Sequence, residues 1–179
     1  MHSLIRNFFL VSLLVGGNLA AAENVVDPSQ YVTDSIAVTG AVENQLKLSV
    51  DDLKKFPSQK VSEVSVVCQS GANKGKLENL KGVLLRDILE KAAVVSIGHN
   101  DVKKMVVIAI ANDGYKVVFS WSEIFNSPIG DGVVVFFEKA GAPLADDEGR
   151  IAMVSTKDLR TGPRHVKWLK AIEVRKIVE

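Results

Sequence analysis

Cys68 is the one cysteine of this 179-residue sequence, and it follows a segment that reads as an export signal. Proteins sent to an oxidising compartment keep most cysteines in disulfide pairs. An odd one points to a reactive thiol, an intermolecular bridge or a metal ligand. Its surroundings, Val66-Val67-Cys68-Gln69-Ser70-Gly71-Ala72-Asn73-Lys74, pass from a strand-like run into a small polar loop. A thiol at such a junction can face a pocket. The opposing reading is a small hydrophobe packed at a strand end, because free cysteine buries well.

The second chemical stretch is Asp158-Leu159-Arg160-Thr161-Gly162-Pro163-Arg164-His165-Val166-Lys167-Trp168-Leu169-Lys170. It sets Arg160, Arg164, Lys167 and Lys170 around one histidine, and Gly162-Pro163 bends the chain so that Arg164 and Lys167 converge. Guanidinium forks and ammonium donors match the oxygens of an anion, above all a phosphate. A solvated charged surface is the alternative reading of the same run.

Other chemistries lack their residues. With His2 inside the signal, the remaining histidines are His99 and His165, and the sequence holds no H-E-x-x-H, C-x-x-C or G-x-S-x-G pattern. Gly71-x-x-x-Gly75-Lys76 is one residue short of the nucleoside triphosphatase loop, which excludes that class.

These groups must be positioned by short elements. Residues 36–42 begin a strand, with Gly40 a bend. Ser49 can cap a short helix whose Asp51 and Asp52 suit the positive N-terminus, and Pro57 ends it. Residues 61–68 alternate as a strand with Val64, Val66 and Cys68 on one face. A glycine- and lysine-containing loop is expected over 69–82, then a helix in which Leu84, Leu85, Ile88 and Leu89 form one stripe. The apolar run 105–111 predicts a strand buried on both faces. Asn112-Asp113-Gly114 turns it into a second strand at 115–119. Ser120-Trp121-Ser122-Glu123 is a capping-box pattern opening a helix over 121–126. Strands at 132–137, 151–155 and 171–177 follow, with a turn at 141–144 and a helical turn at 166–170. Strands and helices do not alternate regularly, so the class is α+β in a single domain, without a doubly wound parallel sheet.

Residues 1–22 read as a signal peptide. Arg6 supplies the positive region, residues 8–15 the apolar stretch and Ala20-Ala21-Ala22 the cleavage site. That stretch is shorter than the roughly 20 residues of a membrane span, so cleavage near Ala22 and a periplasmic product without a stable membrane span are expected. Residues 23–35 form a loose arm and residues 36–179 the domain. The sequence has 22 Lys+Arg against 21 Asp+Glu, and losing Arg6 balances them. A neutral chain has no general affinity for nucleic acid. A hydrophobic share of 47% excludes a disordered chain.

Taken together, these stretches resemble the oxidoreductase molybdopterin-binding domain of the sulfite oxidase family, from about Ile36 to Val174. Val38-Thr39-Gly40-Ala41-Val42 and Leu46-x-Leu48-Ser49-x-x-Asp52-Leu53-x-x-Phe56-Pro57 resemble its opening strand and first helix. Val66-Val67-Cys68 with Gly71 and Asn73 is similar to its cysteine strand and loop. Gly82-Val83-Leu84-Leu85-Arg86-Asp87-Ile88-Leu89 is similar to its G-V-x-L-x-D-L-L helix, and Asp113-Gly114-Tyr115 to its central hairpin. Gly162-Pro163-Arg164-His165-Val166-Lys167-Trp168-Leu169 with Ile172 and Val174 is close to its G-x-R-x-V-K-W-L-x-x-I-x-V ending, the most specific piece.

The resemblance implies a sulfite oxidase-like fold of mixed short-stranded sheets with a few short helices. It implies molybdopterin with molybdenum as cofactor and the Cys68 thiolate as metal ligand and catalytic centre. Arg164 and Lys167 would contact the pterin phosphate, with His165 and Arg160 nearby and Asn73 and Lys74 on the cysteine loop. The implied reaction is redox or oxygen-atom transfer on a small-molecule or anionic substrate, with any electron partner a separate redox protein, since the sequence has no C-x-x-C-H haem motif. The loop departs from the family's C-x-G-N-x-R by one added residue and by Lys74 in place of arginine. The N-terminal segment that adds pterin contacts in full-length relatives, and the C-terminal extension with an active-site tyrosine and a dimer domain, have no match here. An exposed pterin is expected from that. The alternative is a cofactor-free periplasmic binding or sensing module of the same fold.

Overall fold

The computed structural model describes residues 27–177; the expected signal peptide and its cleavage site lie outside them. Two five-stranded sheets are built around one two-faced strand, β7 (Val133–Lys139). Val133, Val135 and Phe137 point into the main core and Val134 and Phe136 into a second one. The period of two along a strand assigns these alternate residues to opposite faces, and residues 133–137 are buried throughout.

The first sheet has the order β2 (Leu46–Ser49), β1 (Ser35–Gly40), β10 (Leu169–Lys176), β5 (Met105–Ala111) and β6 (Lys116–Ser120). β1 and β10 run parallel, with Ala37 opposite Ala171; the other pairs are antiparallel. The second sheet runs from β3 (Gln59–Val67) through β4 (Asn73–Leu84) to β7, which also pairs with β8 (Ala142–Pro143) and β9 (Ala152–Ser155). Ile36, Val38, Val107, Phe119 and Ile172 of the first sheet meet Val83, Val135 and Met153 of the second in the main core.

Three short helices close it. Those at α1 (Val50–Leu53) and α3 (Trp121–Phe125) open on the capping boxes expected, Ser49 with Asp52 and Ser120 with Glu123. The middle one, α2 (Leu85–Ala92), buries Leu85, Ile88, Leu89 and Ala92, the stripe that 3.6-residue spacing dictates. Among the described residues no helix is long and apolar enough to cross a membrane.

Several expectations are corrected. The loop expected over 69–82 is confined to residues 68–72, and β4 takes up the rest. Its outer half is polar because only Leu77 and Leu80 point inward. The run 105–111 is buried on one face only: Met105, Val107, Ala109 and Ala111 are covered, and the residues between them half-exposed. The turn expected at 141–144 contains the two-residue strand β8. In place of a helical turn at 166–170, Val166 bridges Met153, Trp168 has φ 47° and β10 starts at Leu169. Within the expected arm, the stretch around Tyr31 and Thr33 is docked. Asn112 donates to the Tyr31 carbonyl (3.0 Å), Thr33 donates to the Leu169 carbonyl (3.2 Å), and the Tyr31 ring lies 5.4 Å from that of Trp168.

Gly82 lets β4 lie flat on β7: a β-carbon there would fall 2.2 Å from the Val135 carbonyl oxygen. Gly82→Ala is therefore expected to cost about 2–3 kcal/mol as the strands are forced apart. Gly98→Ala, whose β-carbon meets nothing nearer than 3.8 Å, stays within about 0.5 kcal/mol of the parent. Urea unfolding midpoints measure both.

Candidate functional site

Cys68 is the first residue after β3 and is half-buried. A tight loop follows it: the Cys68 amide donates to the Ala72 carbonyl (3.0 Å), and the Gly71 amide donates back to the Cys68 carbonyl (2.8 Å). Gly71 has φ +90°, a conformation that favours glycine. The loop brings the Ser70 hydroxyl to 3.0 Å from the sulfur. This hydrogen bond, helped by the Ser70 and Ala72 amides and least by the positive charge of Lys74, outweighs partial burial and holds the thiol below its ordinary pKa. A lowered pKa favours the thiolate, which is the form that binds metals and attacks electrophiles.

The basic turn reaches this loop by its N-terminal end. The Arg160 guanidinium lies over Gly71, where a β-carbon would be 3.2 Å from Nη2. Thr161 is buried, and its hydroxyl donates to the Ser65 carbonyl (2.5 Å) and accepts from the Val67 amide (3.0 Å). Gly162 presses on the strand end: a β-carbon there would sit 2.9 Å from the Val67 oxygen and 3.2 Å from Cys68 Cα. Arg160 and Lys74 are exposed and make no ion pair among the described residues. Asn73 caps its own turn, its side-chain oxygen accepting from the Gly75 amide (2.8 Å).

The C-terminal end of the turn goes elsewhere, and the expected convergence of Arg164 and Lys167 is corrected. Arg164 grips Asp158 through Nε (2.6 Å) and Nη2 (2.5 Å), and Glu123 through Nη1 (2.8 Å). Its plane also lies 4.3 Å over the Phe119 ring. While those pairs hold, the fork is not free for a ligand phosphate. His165 stacks near Phe136 at 6.2 Å, and its Nε2 sits 3.6 Å from a Glu148 oxygen, too long for a hydrogen bond. That nitrogen is buried without a partner. Lys167 donates to the Asp147 carbonyl (3.1 Å) beside the Trp168 ring. Trp168 in turn donates from its indole to the Asp146 carbonyl (2.7 Å). Asp158 within the stretch, Glu123 of α3 and the Asp147 carbonyl have divided the cluster.

Ser70, Thr161, Glu148, Asp158 and Glu123 carry no signal in the sequence that marks them as partners of these groups. Glu123 is visible only as a capping residue. The 550 Å³ hollow between the α1 and α2 regions lies apart from this site, floored by Leu48, Phe56 and Pro57 and rimmed by Lys55, Glu90 and Lys91.

Comparison with known proteins follows the same lines. Residues 23–178 match the model of a family described as oxidoreductase molybdopterin binding domain. Among solved structures, the crystal structure of the sulfane dehydrogenase SoxCD from Paracoccus pantotrophus superposes with a TM-score of 0.59 at 18% identity. The match covers 83% of this chain and 39% of that one, so this chain spans well under half of that length. No curated protein matches.

Glu148 gives the site region an acid-sensitive element. Burial alone would raise its carboxyl, but His165 and Lys139 beside it bring the pKa down from 4.5 to about 2. The folded pKa lies below the unfolded one, so this stabilisation is full above about pH 4.5 and is lost as pH falls towards 2. Glu148→Gln is expected to lose about 2–3 kcal/mol at neutral pH. The gap to the parent should narrow across that acid window in urea titrations.

Proposed function

The chain belongs to the oxidoreductase molybdopterin-binding domain family, and on that premise we propose that it is an exported, periplasmic oxidoreductase that holds molybdopterin with its molybdenum on the Cys68 thiolate. The observation that carries the reading is the state of that sulfur: solitary, half-buried, hydrogen-bonded by Ser70 and held below its ordinary pKa. A metal thiolate needs an unpaired cysteine that loses its proton readily. When bound, the cofactor supplies the redox and oxygen-atom-transfer chemistry that protein side chains lack.

The chain's own residues then divide the work. Cys68 anchors the metal. Arg160 and Lys74, exposed beside it and paired with no carboxylate among the described residues, offer positive charge to the pterin phosphate or to a small anionic substrate. Lys167 can reach a ligand only by leaving the Asp147 carbonyl, and Arg164 only by breaking its bonds to Asp158 and Glu123. Electrons would pass on to a redox partner.

A second reading, a cofactor-free binding or sensing module of the same fold, is favoured by that internal pairing of Arg164. The two part on composition. Full-length protein from a molybdenum-replete, cofactor-competent host should carry near-stoichiometric molybdenum and pterin, by elemental analysis and pterin fluorescence. Cys68→Ser should lose the metal. Arg160→Ala should weaken retention by about 1–3 kcal/mol. Metal-free parent protein from that host would hand the fold to the second reading, and full metal in Cys68→Ser would remove the sulfur from the site.

A further inference from the structure

We propose that Thr161 is a positioning residue for Cys68: its hydroxyl stands in for a missing neighbouring strand and holds the end of β3 so that the sulfur keeps its place beside Ser70. The inference rests on the reading of Cys68 as the working thiol, and it concerns the geometry that keeps it so.

β3 is the edge strand of its sheet, paired with β4 on one side only. In an edge strand, the carbonyl of one residue and the amide two residues later point outward together, unpaired. At the end of β3 those groups belong to Ser65 and Val67. The ladder to β4 is irregular at the same place: Ser65 lies opposite Lys76 and Val67 opposite Asn73, with a register shift between them. The strand end is thus least supported one residue before the sulfur.

Thr161 repairs this from the other side. Its hydroxyl donates to Ser65 and accepts from Val67, the pair of bonds that another strand's backbone would make. A hydroxyl has one donor and can accept as well, so one side chain satisfies both groups. Thr161 is 5% exposed, which leaves water little access to replace it. Gly162 completes the contact, with no room for a β-carbon against Val67 and Cys68 Cα. The clamp fixes the backbone from which the cysteine loop starts, and the loop's own bonds then carry Ser70 to the sulfur. Loosening the clamp displaces the sulfur.

The test uses the full chain without cofactor and reads Cys68 alkylation by iodoacetamide at one fixed pH and amide hydrogen exchange at Val67, with circular dichroism to confirm folding. Thr161→Val keeps the shape and removes both hydrogen bonds. It is expected to speed exchange of the Val67 amide and to change the Cys68 alkylation rate by about threefold or more. Thr161→Ser, which retains the hydroxyl, should restore both parent values. Gly162→Ala should change the alkylation rate by pushing on the same strand end, and it decides the matter if Thr161→Val fails to fold. A folded Thr161→Val that loses thermal stability but keeps the parent alkylation rate overturns the proposal, as does an unmoved rate in Gly162→Ala. Molybdenum loading is scored separately. A parent protein that never takes up metal defeats the cofactor reading and leaves this one standing, and an unmoved alkylation rate does the reverse.

Discussion

Two backbone groups without a strand to meet them organise this molecule's site. The Ser65 carbonyl and Val67 amide lie at an unsupported edge, and buried backbone groups of that kind require partners. Thr161 provides both, and so the segment around residues 160–162 must run alongside the end of β3. Arg160 then falls over Gly71, and Gly162 against Cys68. The far side of the same segment is tied down by the Val166–Met153 bridge and by the Trp168 amide on the Glu148 carbonyl. A segment held at both ends in this way, with Val166 and Leu169 in the main core, keeps Arg160 beside the cysteine loop.

The basic run shows how tertiary pairing redistributes charge. A buried ion is costly unless it is matched. Arg164 is matched three times over, by two carboxylates and an aromatic face. It thereby joins α3 to the loop after β9 through Asp158 and Glu123. Glu148 is likewise matched by Lys139, with His165 close by. What remains for a ligand is the outward part, Arg160 and Lys74, next to the sulfur. The run therefore divides into an internal tie at Arg164 and an outward cation at Arg160, and the bend at Gly162-Pro163 separates them.

Both functions hang on β7. Because it is buried on both faces, its outer half supports Val64, Leu77 and Leu80 beneath β3 and β4, while its inner half shares the main core with β1, β10 and α2. Displacing β7 would move the cysteine strand relative to the sheet that carries the end of the basic segment. The ladder between β4 and β7 shifts register between Lys81 and Gly82, and the close approach at Gly82 accommodates that irregularity.

The local elements were legible because local physics makes them. The hydroxyl–carboxylate spacing at Ser49 and Ser120 named two helix starts, the apolar stripe of Leu84, Leu85, Ile88 and Leu89 named the third, and Asn112-Asp113-Gly114 named a hairpin. An unpaired cysteine at a strand end marked the candidate thiol, and the family resemblance and the α+β class agree with the matched domain. Other features were beyond that reach. The outer half of β4 looked like a loop, since a strand with one wet face and two inward leucines carries little periodicity. Arg164 and Lys167 looked convergent, since spacing along a turn says nothing of carboxylates forty or twenty residues away. The sequence by itself determined which groups carry charge, sulfur and helical or extended preference, because these are properties of residues and near neighbours. Only the tertiary structure decided which charges face inward and which hydroxyl completes the edge of β3, because pairing depends on contacts between residues nearly a hundred positions apart.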